Sequence, residues 1–247
     1  MTTESERALL DDFDLLFGPD ARAMRTLRET DARYVDAYAR YARAAMNSGV
    51  LPGDVRALLL LALEASLTTL DGSAIETRID SALDAGATTG HVLHVLMLVS
   101  LCSIHSLTAA LPALASVIPP PPGPPAAPEP THWYWASFDE EFPGFHRTLE
   151  ARAPELFSAY RELGRAIWEH PAGLEPKWQE LVFVAMDIAT THLYLDGARL
   201  HAMNAVRLGA TAEQVFATVA LAAAQGAKSI GRGVPALRRV LERRGLG

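Results

Sequence analysis

The chain has a single cysteine, Cys102, in 247 residues. No internal disulfide can form, and a reducing cytoplasm is the expected setting. It lacks the start of a secretory signal, since Met1-Thr2-Thr3-Glu4-Ser5-Glu6-Arg7 carries acids where such a signal is basic and no uninterrupted apolar core follows. No uninterrupted apolar run reaches the roughly 18 residues of a membrane span. The longest candidates, Ala57–Leu63 and Val92–Leu101, are short or interrupted, so no membrane partner is expected. Positive charge is also in deficit: 22 Lys and Arg against 29 Asp and Glu leave a net charge of −7, which argues against nucleic acid as a partner. Strand signals are nearly absent. What remains is 49% apolar content, dominated by Ala and Leu with Arg and Glu, and with apolar residues recurring at three and four. That is the pattern of an all-α, core-forming protein.

Composition changes abruptly once. Pro119–Pro130 is mostly proline, with Gly123, Ala126, Ala127 and Glu129 between, which excludes helix or central strand and implies a semi-extended spacer. The expected organisation is a first helical repeat over residues 1–118, a linker over 119–131 and a second repeat over 132–247. Helices are expected at Glu6–Phe17, Ala32–Asn47, Gly53–Thr69, Ser73–Ala85, Thr89–Leu101 and Ser106–Val117 in the first half. In the second they are expected at Pro154–Glu169, Pro176–Thr191, Ala198–Leu208, Ala212–Ala224 and Ser229–Arg243. The aromatic run His132-Trp133-Tyr134-Trp135 after the linker reads first as apolar surface that docks the start of the second repeat, with a binding role for the rings as the alternative.

The two helix sets match because the chain is internally duplicated. At an offset of 123, Leu51–Leu114 aligns with Leu174–Leu237 without a gap, pairing Leu58 with Leu181, Thr68 with Thr191 and Ala82 with Ala205. Gly86-Ala87-Thr88 falls on Gly209-Ala210-Thr211, and Tyr38 pairs with Tyr160 one register earlier. The period is far longer than a solenoid unit, so the expectation is two copies of one helical unit packed as a pseudo-dimer.

Duplication also supplies an internal control: a polar residue kept in both copies serves the fold, and one found in a single copy is a candidate for a site. Glu180, Val184, Asp187 and Thr191 form one stripe on an otherwise apolar helix. Asp187 has a counterpart in Glu64 and Thr191 in Thr68, which favours structural roles, whereas Glu180 faces Ala57, His192 faces Thr69 and His201 faces Arg78. The second copy alone therefore gathers an acid and two imidazoles. On one continuous helix the two histidines, nine residues apart, would point to opposite faces. An Asp196-Gly197 turn between two helices would let them face each other. Tyr194, Asp187, Thr191, His105 and Arg78 are the candidate substrate contacts. His105 can complete the site from the other copy or cap a helix end, and Arg78 can pair with Glu64 or Glu76 or bind a substrate carboxylate. His91, His94, Cys102 and His105 have metal-like spacing, but the pairs lie eleven residues apart, too far along a helix for one site.

The apolar helix from Glu180-Leu181, the turn, Leu200-His201, Ala205 and Gly209-Ala210-Thr211, then Val215 and a last helix after Gly226, resembles the carboxymuconolactone decarboxylase and alkylhydroperoxidase D-like family. Both copies fit, from about Ala32 to Leu114 and Pro154 to Leu237. The resemblance implies an all-helical fold, homo-oligomers built on paired subunits, and a site near the helices of Glu180 and His201. The peroxidase branch needs a Cys-x-x-Cys pair before the histidine. Here those positions are Tyr194 and Gly197, so thiol peroxidase chemistry is excluded.

The decarboxylase branch implies no cofactor and a small carboxylated lactone as substrate. His201 is then the general acid/base, Glu180 orients it or shares its proton, and His192 binds a substrate oxygen or serves as a second acid. Two other readings stand beside it: a non-catalytic binding or scaffold protein, and a metal-dependent site built from His192, His201 and Glu180.

Overall fold

The computed structural model describes residues 13–46, 49–122 and 133–246. The first part of the Glu6–Phe17 helix, His132 and most of the linker lie outside the described residues, as does the Trp133 side chain. Among the described residues the chain is helical throughout, with no strand. The first half comprises α1 (Phe13–Phe17), α2 (Ala21–Arg28), α3 (Ala32–Met46), α4 (Gly53–Ala65), α5 (Gly72–Asp84), α6 (Thr89–Ser100) and α7 (His105–Ala113). The second comprises α8 (Trp133–Glu141), α9 (Phe145–Arg152), α10 (Pro154–Trp168), α11 (Pro176–Asp187), α12 (Leu195–Arg207), α13 (Ala212–Ala223) and α14 (Ala227–Arg244).

Helices α4 and α11 occupy the same place in each half, and they pack on each other at the centre. Their composition explains this. Val55 and Ala57–Ala65 are buried on α4, as are Trp178–Asp187 on α11, and a helix apolar on nearly every face must be enclosed. One hydrophobic cluster runs through both halves, from Phe13 to Ala227.

The duplication recurs in the backbone. Leu70 and Leu193, 123 positions apart, both take positive φ, at 38° and 48°, and Gly86 and Gly209 both sit at 96°. Thr88 and Thr211 cap α6 and α13, each accepting the amide of the third residue on. Thr68 and Thr191 meet hydroxyl to hydroxyl at 2.8 Å between the halves. These pairings are what a pseudo-two-fold arrangement produces.

Several expectations need correction. Helices α2, α8 and α9 were not expected. Helix α11 ends at Asp187, four residues before Thr191. The Asp196-Gly197 pair lies inside the first turn of α12, and the break comes earlier, over residues 188–194. There Ala189 accepts amides from His192 and Leu193, and the Asp187 carbonyl accepts the Tyr194 amide at 2.8 Å. Thr89–Ala113 forms one helical stretch of 25 residues, apolar and long enough by composition to cross a membrane. Counting only uninterrupted runs concealed it, because Thr, His and Ser punctuate the stretch. Val92, Val95, Leu98 and Val99 lie in the core, so one face of the stretch packs inside the protein.

Because the core is continuous, Leu58→Ala and Leu181→Ala, at paired positions each 1% exposed or less, are each expected to cost ~2–5 kcal/mol. Both variants should unfold in one cooperative transition in urea. Two resolved transitions, one per half, would contradict a shared core.

Candidate active site at the junction of the halves

Helices α11 and α12 form a hairpin, and its turn faces the start of α7 from the other half. His201, on α12, is buried at 3% exposure and its Nδ1 lies 2.7 Å from Oε2 of fully buried Glu180 on α11. Burial works against charge on this imidazole. Glu180, and then Asp187, nevertheless carry its pKa above the ordinary value. Burial likewise raises the Glu180 carboxyl, against the pull of His201 and Asn204.

Asp187 is the centre of the arrangement. Its Oδ2 lies 3.9 Å from Nε2 of His201 and its Oδ1 lies 3.6 Å from Nδ1 of His105. Neither oxygen has a hydrogen-bond partner. Burial drives its pKa up to about 7, opposed by His201 and aided by the Glu180 charge. The structural role inferred from its counterpart therefore understated it. Glu64 does sit at the equivalent place, but there Lys228, the counterpart of His105, neutralises it at 2.6 Å.

His192 and His201 do not face each other. His192 lies in the 188–194 turn, and its Nε2 meets Nδ1 of His105 at 2.7 Å and Sγ of Cys102 at 3.6 Å. Cys102, which sequence spacing left apart from the site, is thus part of it, though still a single thiol. His192, His201 and Glu180 do not form the expected metal trio; among the described residues the cluster with metal-ligand proximity is Cys102, His105 and His192. His94 is committed elsewhere, with Nε2 against the Ile167 carbonyl and Nδ1 accepting the Leu174 amide. Thr191 serves the junction with Thr68 rather than this cluster. Arg78 is buried in the first half beneath Gly18, with Asp20 and Glu64 as its nearby charges, away from any substrate contact at His201. The expected Arg78–Glu64 bridge is replaced by the Lys228–Glu64 pair.

His201 opens on a chamber walled by Tyr134, Phe138, Phe142, Trp168, Phe183 and Tyr194. Phe183 stacks on the imidazole at 4.5 Å and Tyr134 at 6.2 Å. Sequence reading favoured docking over a binding role for Tyr134, and nothing in its spacing marks it as a chamber wall. The enclosed volume is 20 Å³, enough for a water. Tyr194 donates to the Thr108 hydroxyl at 2.8 Å, and these two residues with Phe142 separate the chamber from an open groove of 830 Å³ that also carries Asp196, Arg199 and Glu141.

Gly197 has a steric reason to be glycine. A Cβ there would lie 2.5 Å from Oδ2 of Asp187 and 2.5 Å from the Tyr194 ring. The place where a thiol peroxidase would hold a cysteine is filled by a carboxylate and a phenol.

A model of the carboxymuconolactone decarboxylase family matches residues 154–242. A crystal structure from Burkholderia xenovorans LB400, described as a "putative gamma-carboxymuconolactone decarboxylase subunit", superposes with a TM-score of 0.80 at 31% identity, over 96% of this chain and 98% of that one. The chain belongs to the carboxymuconolactone decarboxylase family. No curated protein matches it. The family match falls on the half that holds Glu180, Asp187 and His201, and membership supports a decarboxylase-like enzyme.

An acid whose pKa is raised by folding holds its proton more tightly folded than unfolded, so ionising it favours unfolding. Between an unfolded value of ~3.9 and about 7, Asp187 withdraws stability as pH rises, and above that range the loss is complete. The raised His201 acts in the same direction, its contribution present at low pH and lost on deprotonation. In urea melts from pH 5 to pH 8, wild type should lose stability relative to Asp187→Asn as pH rises; a flat or opposite difference would refute the assignment. Gly197→Ala should cost ~1–3 kcal/mol by overpacking, and unchanged stability would show that the close approach is not binding on the fold.

Proposed function

We propose that the protein is a cofactor-free acid/base enzyme of carboxymuconolactone decarboxylase type, acting on a small carboxylated lactone or carbonyl compound. The observation that carries this reading is the buried His201–Glu180 pair, set at 2.7 Å in an aromatic chamber. Such a pair keeps a proton available on the imidazole at neutral pH, and its second nitrogen faces Asp187.

The groove of 830 Å³ is large enough for the substrate, and displacement of Tyr194 from Thr108 joins it to the chamber. Moving a carboxylate from water to aromatic walls destabilises its charge relative to neutral carbon dioxide. The C–C bond to the carboxylate breaks, its electron pair is held as an enolate on the adjacent carbonyl, and carbon dioxide leaves. The proton on Nε2 of His201 then moves to carbon, and the imidazole is reprotonated from solvent. Below about pH 7 Asp187 is neutral and does not repel the incoming carboxylate. A proton shift without loss of carbon dioxide uses the same groups. His192 meets His105 and not His201, and takes no step in this scheme. Further self-association of the chain and a cytoplasmic setting belong to the same proposal.

Turnover should be followed as carbon dioxide release from a panel of carboxylated lactones. His201→Gln should lower kcat by ~10²–10⁴ with the circular dichroism spectrum retained. Equal turnover in the variant removes the assignment. The small closed chamber favours one rival, a non-catalytic binding protein, which predicts ligand-induced shifts and no release from any member of the panel.

A further inference from the structure

The junction holds a second cluster that the acid/base reading leaves unused. Three potential ligand atoms meet there from separate parts of the chain. Cys102 comes from the single 3-10 turn before α7, His105 from the first residue of α7, and His192 from the α11–α12 turn. We propose that Cys102 Sγ, His105 Nδ1 and His192 Nε2 form a three-ligand site for Zn²⁺, with solvent as the fourth donor.

The argument is first geometric. Zn–S and Zn–N bonds of ~2.3 and ~2.0–2.1 Å at tetrahedral angles put sulfur and nitrogen ~3.5 Å apart. Sγ of Cys102 lies 3.6 Å from His192 Nε2 and 3.8 Å from His105 Nδ1. Two ligating nitrogens would be ~3.3 Å apart, and here they are 2.7 Å apart, so the rings must part by ~0.6 Å as the ion enters. His192 lies in a turn and is only partly buried, which leaves it room to move. Asp187 Oδ1 lies 3.6 Å from His105 Nδ1, outside the trio but near enough to offset the charge of an ion held there.

The second argument is chemical. Asp187 is a fully buried carboxylate whose oxygens have no hydrogen-bond partner, a costly state that a cation relieves. A neutral imidazole offers one ring-nitrogen lone pair, and in each ring one nitrogen faces the other two members of the trio. A thiol with two imidazoles suits zinc better than magnesium or calcium. Binding breaks the Cys102 S–H bond, forms the metal–sulfur bond and releases that proton to buffer. The imidazole that donates in the 2.7 Å contact shifts its proton to its other ring nitrogen. Glu180 and His201 keep their own bond throughout, so the site stands independently of the decarboxylase reading.

The test is titration of the reduced, chelator-stripped full-length protein with Co²⁺, without substrate, so that turnover plays no part. One equivalent per chain should bind with four-coordinate ligand-field bands and a thiolate-to-cobalt charge-transfer band, all displaced by Zn²⁺. Cys102→Ser should lose the charge-transfer band and bind more weakly by more than the ~10–100-fold that supporting residues cost. If Cys102→Ser fails to fold, His192→Ala reads the same site through loss of the four-coordinate bands. Uptake well below one equivalent, octahedral bands, or affinity unchanged in the folded variant would overturn the proposal.

Discussion

A buried carboxylate with no hydrogen bond of its own, held between two imidazoles, is the constraint on which the rest of this structure depends. Asp187 closes the most buried helix of the second half and lies between His201 of its own hairpin and His105 of the other half. Charge in such a place is expensive unless it is shared. The cost is spread: Asp187 is held partly protonated near neutrality, His201 is drawn toward its charged form, and His105 is kept neutral. Gly197 follows from the same constraint, since the space beside its Cα is taken by that carboxylate.

The chamber and the charges serve each other. Phe183 and Tyr134 on either side of His201 exclude water from the Glu180 bond, and the low local dielectric strengthens an ion pair that would be weak at the surface. The same walls make the space inhospitable to any carboxylate that enters it. Tyr194 links the two properties, because it lines both the chamber and the open groove and its hydroxyl is tied to Thr108 across the boundary.

The helical fold and the offset of 123 were legible because periodicity and repetition are local or self-referential signals. The pair Glu180 and His201 was legible for the same reason: each lacks a counterpart in the first half. What could not be read is what arises between segments distant in the chain. His105 meets His192 across 87 positions and Cys102 meets it across 90, and no spacing rule encodes such contacts. Asp187 was obscured by its twin, since the duplicate keeps an acid in the same place while changing the residue that faces it. Asp196-Gly197 misled because its dipeptide favours a turn, whereas Gly197 answers a steric demand set by Asp187 and Tyr194. Helix α8 was missed because an aromatic run reads as packing surface before it reads as helix.

Each half lends a side chain to the acid of the other: His105 of the first reaches Asp187 of the second, and Lys228 of the second reaches Glu64 of the first. An assembly of identical subunits must repeat one residue at every such crossing. Joining the two units in a single chain removes that rule, so one crossing can hold an always-charged amine and become inert while its twin keeps a proton-exchanging ring. Asymmetry of that kind is closed to identical subunits, and this chain shows it at His105 and Lys228.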